Sequence, residues 1–189
     1  ATAEFTAAAQ AAVGLASHDV DVIDAADSRW DAGESLPGEA AIAAHQPHSV
    51  IYTSGTTGRP KGAILTHGNF YWSAVASAAN LGVEPDDRWL ACMPLFHVGG
   101  LSILLRSAIY GTTAVVHERF DEVAVNRAIR EERVTLLSVV AAMLTRMFDA
   151  DADGYPETLR AVLLGGGPAP RLLLDAAVAR AMPVLQTYG

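Results

Sequence analysis

Between Thr53 and Gly62 the chain places three glycines, four aliphatic hydroxyls and one lysine within ten residues: Thr53-Ser54-Gly55-Thr56-Thr57-Gly58-Arg59-Pro60-Lys61-Gly62. These are residue types that hold a polyphosphate. Glycine has no Cβ, so successive backbone N–H groups can turn toward one anion. The hydroxyls of Thr53, Ser54, Thr56 and Thr57 can donate hydrogen bonds, and Lys61 adds a full positive charge with charge-assisted bonds. The apolar run Ser49-Val50-Ile51-Tyr52 leads in and Ala63-Ile64-Leu65 leads out, which reads as strand, glycine-rich turn, strand. The spacing is not that of a Walker A loop, because Pro60 precedes Lys61 and Gly62 follows it. The plain alternative is an ordinary Ser/Thr/Gly hairpin loop.

Three later strings carry the same mixture of glycine and chemistry-bearing side chains. In Met93-Pro94-Leu95-Phe96-His97-Val98-Gly99-Gly100-Leu101 a proline ends an apolar run and two glycines open a helix. His97 there is a titratable group between apolar neighbours; its bland reading is a core histidine bonded to a backbone carbonyl. Gly165-Gly166-Gly167-Pro168 alone is a strand-to-helix turn. Gln186-Thr187-Tyr188-Gly189 ends the chain, and Tyr188 alone reads equally well as a buried core aromatic.

These strings punctuate a regular alternation. The spacing predicts helices over 69–81 (Asn69 as N-cap, Gly82 as stop), 99–110 (closed by Gly111), 121–133, 141–150 and 171–181. Between them it predicts strands over 88–93, 112–117, 134–140, 159–164 and 183–187. An alanine-rich helix over 2–17, a short strand over 19–23 and a loop over 30–38 precede the first string. Strands alternating with helices define an α/β fold, a layered, mostly parallel sheet flanked by helices. The strands are continuous apolar runs, as burial on both faces requires. Ligands of such sheets bind where the strands end at their carboxyl termini, so all four strings are expected to gather at one edge.

The composition narrows the function. Apolar residues make up 51% of 189, enough for a core, and the net charge of −8 argues against a general nucleic-acid or anionic-membrane binder. Cys92 is the only cysteine and lies in an apolar run, so it is a buried thiol rather than a nucleophile. No apolar run has the length of a membrane span, and no signal peptide is visible. The chain begins with alanine, which places its start after processing or inside a longer protein, and a cytoplasmic location is expected. His45, His48 and His117 lack metal-ligand spacing, no metal ligand is assigned, and the charges of 127–133 read as an exposed helix face.

The string from Tyr52 to Gly62 matches, position for position, the phosphate-loop signature of the adenylate-forming enzymes: acyl- and aryl-CoA ligases, luciferases and peptide-synthetase adenylation domains. The resemblance runs from about Ser49 to Gly189. It implies that Thr53, Ser54, Gly55, Thr56, Thr57, Gly58 and Lys61 hold the β- and γ-phosphates of ATP. It implies that Gly165, Gly166, Gly167 and Pro168 lie along adenine. Gln186, Thr187, Tyr188 and Gly189 resemble the start of a motif that continues to Thr-Glu, with the tyrosine stacked on adenine and the glutamate, beyond Gly189, holding Mg2+. His97 would border the carboxylate substrate, and with Lys61 it is the candidate catalytic group. Phe96, His97, Gly99, Gly100 and Ser102 would wall the acid pocket.

A finer resemblance rests on 93–102, on Tyr110-Gly111 with 116–121, and on 163–170. It implies the branch of the family that joins an aryl dicarboxylate to coenzyme A. The expected partners are therefore a small carboxylic acid, ATP and coenzyme A, with no nucleic acid and no membrane. Residues 1–48 read as a shortened N-terminal segment of the large domain and 49–189 as its AMP-binding core. The C-terminal small domain lies beyond the chain, which is thus expected to be a fragment, inactive alone. The alternatives are another acyl- or aryl-CoA ligase, an amino-acid adenylation domain, or a non-catalytic nucleotide-binding module.

Overall fold

The computed structural model describes residues 42–53 and 60–188. The elements expected over 2–17, 19–23 and 30–38 lie outside these residues, as do Ser54 to Arg59 of the glycine-rich loop and Gly189.

Strand β1 (Pro47–Thr53) pairs antiparallel with β2 (Lys61–Thr66), with Thr53 opposite Lys61 and Val50 opposite Ile64. The glycine-rich loop thus joins a separate two-stranded sheet. This corrects the expectation that all four strings leave one parallel sheet. The reason lies in chain length: a parallel return needs a crossover of a dozen or more residues, and only 54–60 intervene.

Helix α1 (His67–Leu81) follows at once. Its cap is Thr66, not Asn69 as expected. The Thr66 hydroxyl accepts from Asn69 N–H at 3.2 Å, and Asn69 Oδ1 accepts from Thr66 N–H at 2.9 Å. Asn69 takes the third-position role of a capping box, normally filled by Glu or Gln. Gly82, at φ 73°, ends the helix as expected.

The rest of the chain alternates as predicted: β3 (Arg88–Ala91), α2 (Val98–Tyr110), β4 (Thr113–Val116), α3 (Glu122–Glu131), β5 (Leu136–Val140), α4 (Ala141–Ala150), β6 (Ala161–Gly165), α5 (Arg171–Ala179) and β7 (Val184–Gln186). The five strands form one parallel sheet in the order β4-β3-β5-β6-β7. Several strands are shorter than the apolar runs that predict them, because the pairing register covers only part of each run.

Alternation along the strands sends residues to two cores. Trp89, Ala91, Leu136 and Ala161 face Ile103 of α2. Leu90, Cys92, Leu137, Val139, Val162 and Leu164 face α3, α4 and α5 through Val125, Ile129, Leu144, Met147 and Leu173. Helix α1 is tied to α2 by the Tyr110 hydroxyl, which donates to the Ala74 carbonyl at 2.5 Å. Cys92 is buried as expected, and burial pushes its thiol up to about 11, which keeps it protonated and inert.

At the amino ends of the strands lies a polar network that the sequence reading missed. The Asp87 carboxylate, 3% exposed, accepts from Arg160 Nε at 2.7 Å, Arg160 Nη2 at 2.5 Å, the Thr135 hydroxyl at 2.8 Å and the Glu84 amide at 3.0 Å. Arg160 Nη1 also donates to the Leu81 carbonyl at 2.7 Å, tying the end of α1 to the sheet. Burial pushes the Asp87 carboxyl up, but these bonds outweigh it and hold its pKa below the ordinary value.

The reading of 127–133 as a solvated face also needs correction at Arg130. Its guanidinium reaches Asp151 at 2.5 Å and lies over the Tyr155 ring, so it clamps α3 to the turn after α4. Arg127 and Glu131 are exposed as expected.

Candidate active site

The antiparallel pair brings Thr53 and Lys61 to the neck of the glycine-rich loop. The Thr53 hydroxyl donates to the Lys61 carbonyl at 3.3 Å, and both residues are exposed. Gly62 cannot carry a side chain without moving its neighbour, because a Cβ there would meet Val50 Cγ1 at 2.7 Å. The remaining loop residues, Ser54, Gly55, Thr56, Thr57 and Gly58, are outside the described residues.

The other three strings leave the parallel sheet at its carboxyl edge. After β6, Gly165, Gly166, Gly167 and Pro168 form the turn into α5. Gly166 has φ 80°, a conformation that favours glycine, and nothing stands within 4 Å of where a Cβ on Gly167 would lie. After β7, the Thr187 amide and hydroxyl both donate to the Leu164 carbonyl, at 2.9 and 3.3 Å. That bond seats Thr187 against Gly165, where a Cβ would meet Thr187 Oγ1 at 2.7 Å. Tyr188 is fully exposed, which removes its reading as a core aromatic and leaves its ring face open.

After β3, Phe96 and His97 form the turn into α2, their rings 4.7 Å apart. Phe96 is 72% exposed, and His97 is exposed at the N-cap with no side-chain cap bond. His97 is therefore not a core histidine. Gly100 is buried, and a Cβ there would meet the Pro94 carbonyl oxygen at 2.4 Å and that of Met93 at 2.7 Å. A Cβ at Gly99 would meet only the tip of Met93. Ser102, expected in the wall of an acid pocket, is buried with its hydroxyl donated to the Val98 carbonyl.

A cavity of about 550 Å³ runs along the β6–β7 side of the sheet. Ser73, Ser77 and Asn80 of α1 bound it with Leu163, Leu185, and Gln186 to Tyr188. The expected wall residues Phe96, His97, Gly99, Gly100 and Ser102 do not line it. Arg106 of α2 does, and the sequence reading passed over it. Its guanidinium donates to the Ser73 hydroxyl at 3.0 Å and lies 5.6 Å from the centre of the Trp89 ring. Among the described residues no carboxylate pairs with it. Burial pulls its pKa down from the ordinary value, yet an arginine keeps its charge. One signal was legible: Arg106 is the only Asp, Glu, Lys or Arg between Arg88 and Glu118. A lone charge on an apolar helix is costly unless something answers it.

A parallel sheet with glycine turns and an exposed tyrosine at its carboxyl edge, in a chain that also carries a lysine-bearing hairpin, fits a nucleotide-binding enzyme core. The chain belongs to the AMP-binding enzyme family, which it matches over residues 3–189. It is 53% identical over 142 residues to the 2-succinylbenzoate–CoA ligase of Bacillus cytotoxicus, covering 75% of this chain and 30% of that protein. Among solved structures it resembles the o-succinylbenzoate coenzyme A synthetase MenE of Bacillus subtilis. The complex of that enzyme with ATP and magnesium superposes with a TM-score of 0.83 at 39% identity, covering 100% of this chain and 38% of that one. The complex with the acyl-adenylate OSB-AMP gives 0.75 at 47% identity, covering 78% and 30%. The chain spans about 30% of the length of the curated relatives it matches.

Proposed function

We propose that this chain is the AMP-binding core of a 2-succinylbenzoate–CoA ligase of menaquinone biosynthesis. In the first half-reaction a carboxylate oxygen bonds to the α-phosphorus of ATP and the bond to the β-phosphate oxygen breaks, giving the acyl-adenylate and pyrophosphate. In the second, the thiolate of coenzyme A attacks the acyl carbon, and AMP leaves with the electron pair of the acyl C–O bond. Catalysis of such a transfer is mainly positioning and charge stabilisation. Thr53, Lys61 and the loop between them cradle the leaving pyrophosphate; Gly165 to Pro168 and Gln186 to Gly189 take the adenosine side. His97 and Phe96, at the neighbouring turn, border the reacting carboxylate.

The observation that carries the reading is Arg106, a fixed cation on a cavity wall with no carboxylate paired to it among the described residues. An acid with two carboxylates, one activated and one held by a guanidinium, answers that charge. The relatives whose names specify 2-succinylbenzoate point to the same class of acid. Magnesium accompanies ATP in the structure of the B. subtilis relative. Among the described residues no three His, Cys, Asp or Glu side chains converge. Among the same residues no helix is long and apolar enough to cross a membrane, and the location we infer is the cytoplasm.

The test is acid-dependent ATP–pyrophosphate exchange by the full-length protein, across aryl, fatty and amino acids. Exchange with o-succinylbenzoate alone is expected. Exchange with a different acid moves the protein to another branch of the family, and none with any acid favours a binding module. The phosphate cradle has its own check. Lys61 is the only lysine of these 189 residues, so amine acylation of the full-length protein followed by peptide mapping reads it in a peptide with no other internal lysine. ATP is expected to protect Lys61.

A further inference from the structure

Arg106 is held from below by a residue that does not line the cavity. Trp89 of β3 is 1% exposed, and the centre of its ring is 5.6 Å from the Arg106 guanidinium carbon, within the range of a cation–π contact. The indole cannot swing freely, because its Nε1–H donates to the Ser138 hydroxyl of β5 at 3.2 Å, a buried bond. Ser138 in turn lies beside Leu163, its partner in the β5–β6 register, and Leu163 lines the cavity. On the solvent side Ser73 of α1 accepts from the guanidinium at 3.0 Å. The arginine is thus set between the indole below and a hydroxyl above, on a long side chain that would otherwise sample many rotamers.

We propose that Trp89, locked by Ser138, is a positioning residue that holds the Arg106 guanidinium where it selects acids carrying a second carboxylate. The inference rests on the role of Arg106 given above and deepens it. Trp89 is suited to the task twice over. Indole gives the strongest ring face for a cation, and its single N–H lets a hydrogen bond fix the angle of that face. A phenyl ring would keep the contact and lose the lock. Ser138→Ala removes the lock and leaves every ring in place.

The experiment compares kcat/KM for o-succinylbenzoate with that for the analogue whose non-reacting carboxylate is a carboxamide. It uses the full-length protein, with thermal unfolding of each variant as the check on folding. Arg106→Gln is expected to erase the preference for the dicarboxylate, by about a hundredfold. Ser138→Ala and Trp89→Phe are expected to lower the preference by about fivefold to tenfold, through KM for the dicarboxylate alone. In the Arg106→Gln background, Ser138→Ala is expected to lower it no further.

A purely structural tryptophan would weaken both acids equally, and that result overturns the proposal. So does an undiminished preference in Ser138→Ala, which decides the matter even if Trp89→Phe does not fold. If Arg106→Gln itself keeps the preference, the role of Arg106 falls. If only that variant loses it, the positioning by Trp89 alone falls.

Discussion

Arg160 and Arg106 are two half-buried arginines treated in opposite ways. At the amino ends of the strands, Arg160 meets the Asp87 carboxylate with two nitrogens and the Leu81 carbonyl with a third. Every charge there is answered within the chain, and the result ties α1, β3, β5 and β6 together. Along the cavity, Arg106 has a hydroxyl and an aromatic face but no carboxylate among the described residues. A protein gains little in stability by desolvating a cation without an anion, so the fold accounts for the first arrangement and the second fits the anionic substrate proposed above.

The largest effects should separate the two. Arg160→Met leaves Asp87 buried and unpaired, and urea unfolding should show a loss of about 3–5 kcal/mol. Arg106→Met should cost less than about 1 kcal/mol, since removal of a desolvated charge offsets the lost contacts. Equal losses would break the comparison.

The acid limb sharpens it. Asp87 has its pKa lowered in the folded chain from an ordinary value of about 3.9. Its ionised form favours the fold, so its contribution is complete above about pH 5 and is lost as pH falls through the lowered folded value. Asp87→Asn should flatten the stability–pH curve below about pH 4, and Arg106→Met should leave its shape unchanged.

Smaller effects test the carboxyl-edge turns. Gly100→Ala drives a Cβ into the Pro94 and Met93 carbonyl oxygens and should cost about 1–3 kcal/mol. Gly99→Ala meets only the flexible end of Met93, and a loss under about 0.5 kcal/mol is expected. At the start of α1, Thr66→Ala removes one half of the capping box and should cost about 1 kcal/mol in thermal unfolding.

Helix α3 shows what local chemistry makes legible. Asp121 accepts from the Ala124 amide at 2.8 Å, and Val125, Ala128 and Ile129 turn inward, as spacing alone predicts. The stop glycines Gly82 and Gly111 were equally plain, since both adopt positive φ. The start of α1 was not, because Thr66 and Asn69 are both good caps and only the reciprocal bond decides between them.

The sequence by itself determined the alternation of strands and helices, the burial of Cys92 and the residues of the carboxyl-edge turns. Propensity, periodicity and glycine conformation act over a few neighbouring residues, so they can be read along the chain. Tertiary structure alone decided three things: the strand order, the pairing of Asp87 with Arg160 across 73 positions, and the setting of Arg106 between Trp89 and Ser73. Those contacts join residues far apart in the chain, and they form only when the sheet register and helix packing bring the partners into reach.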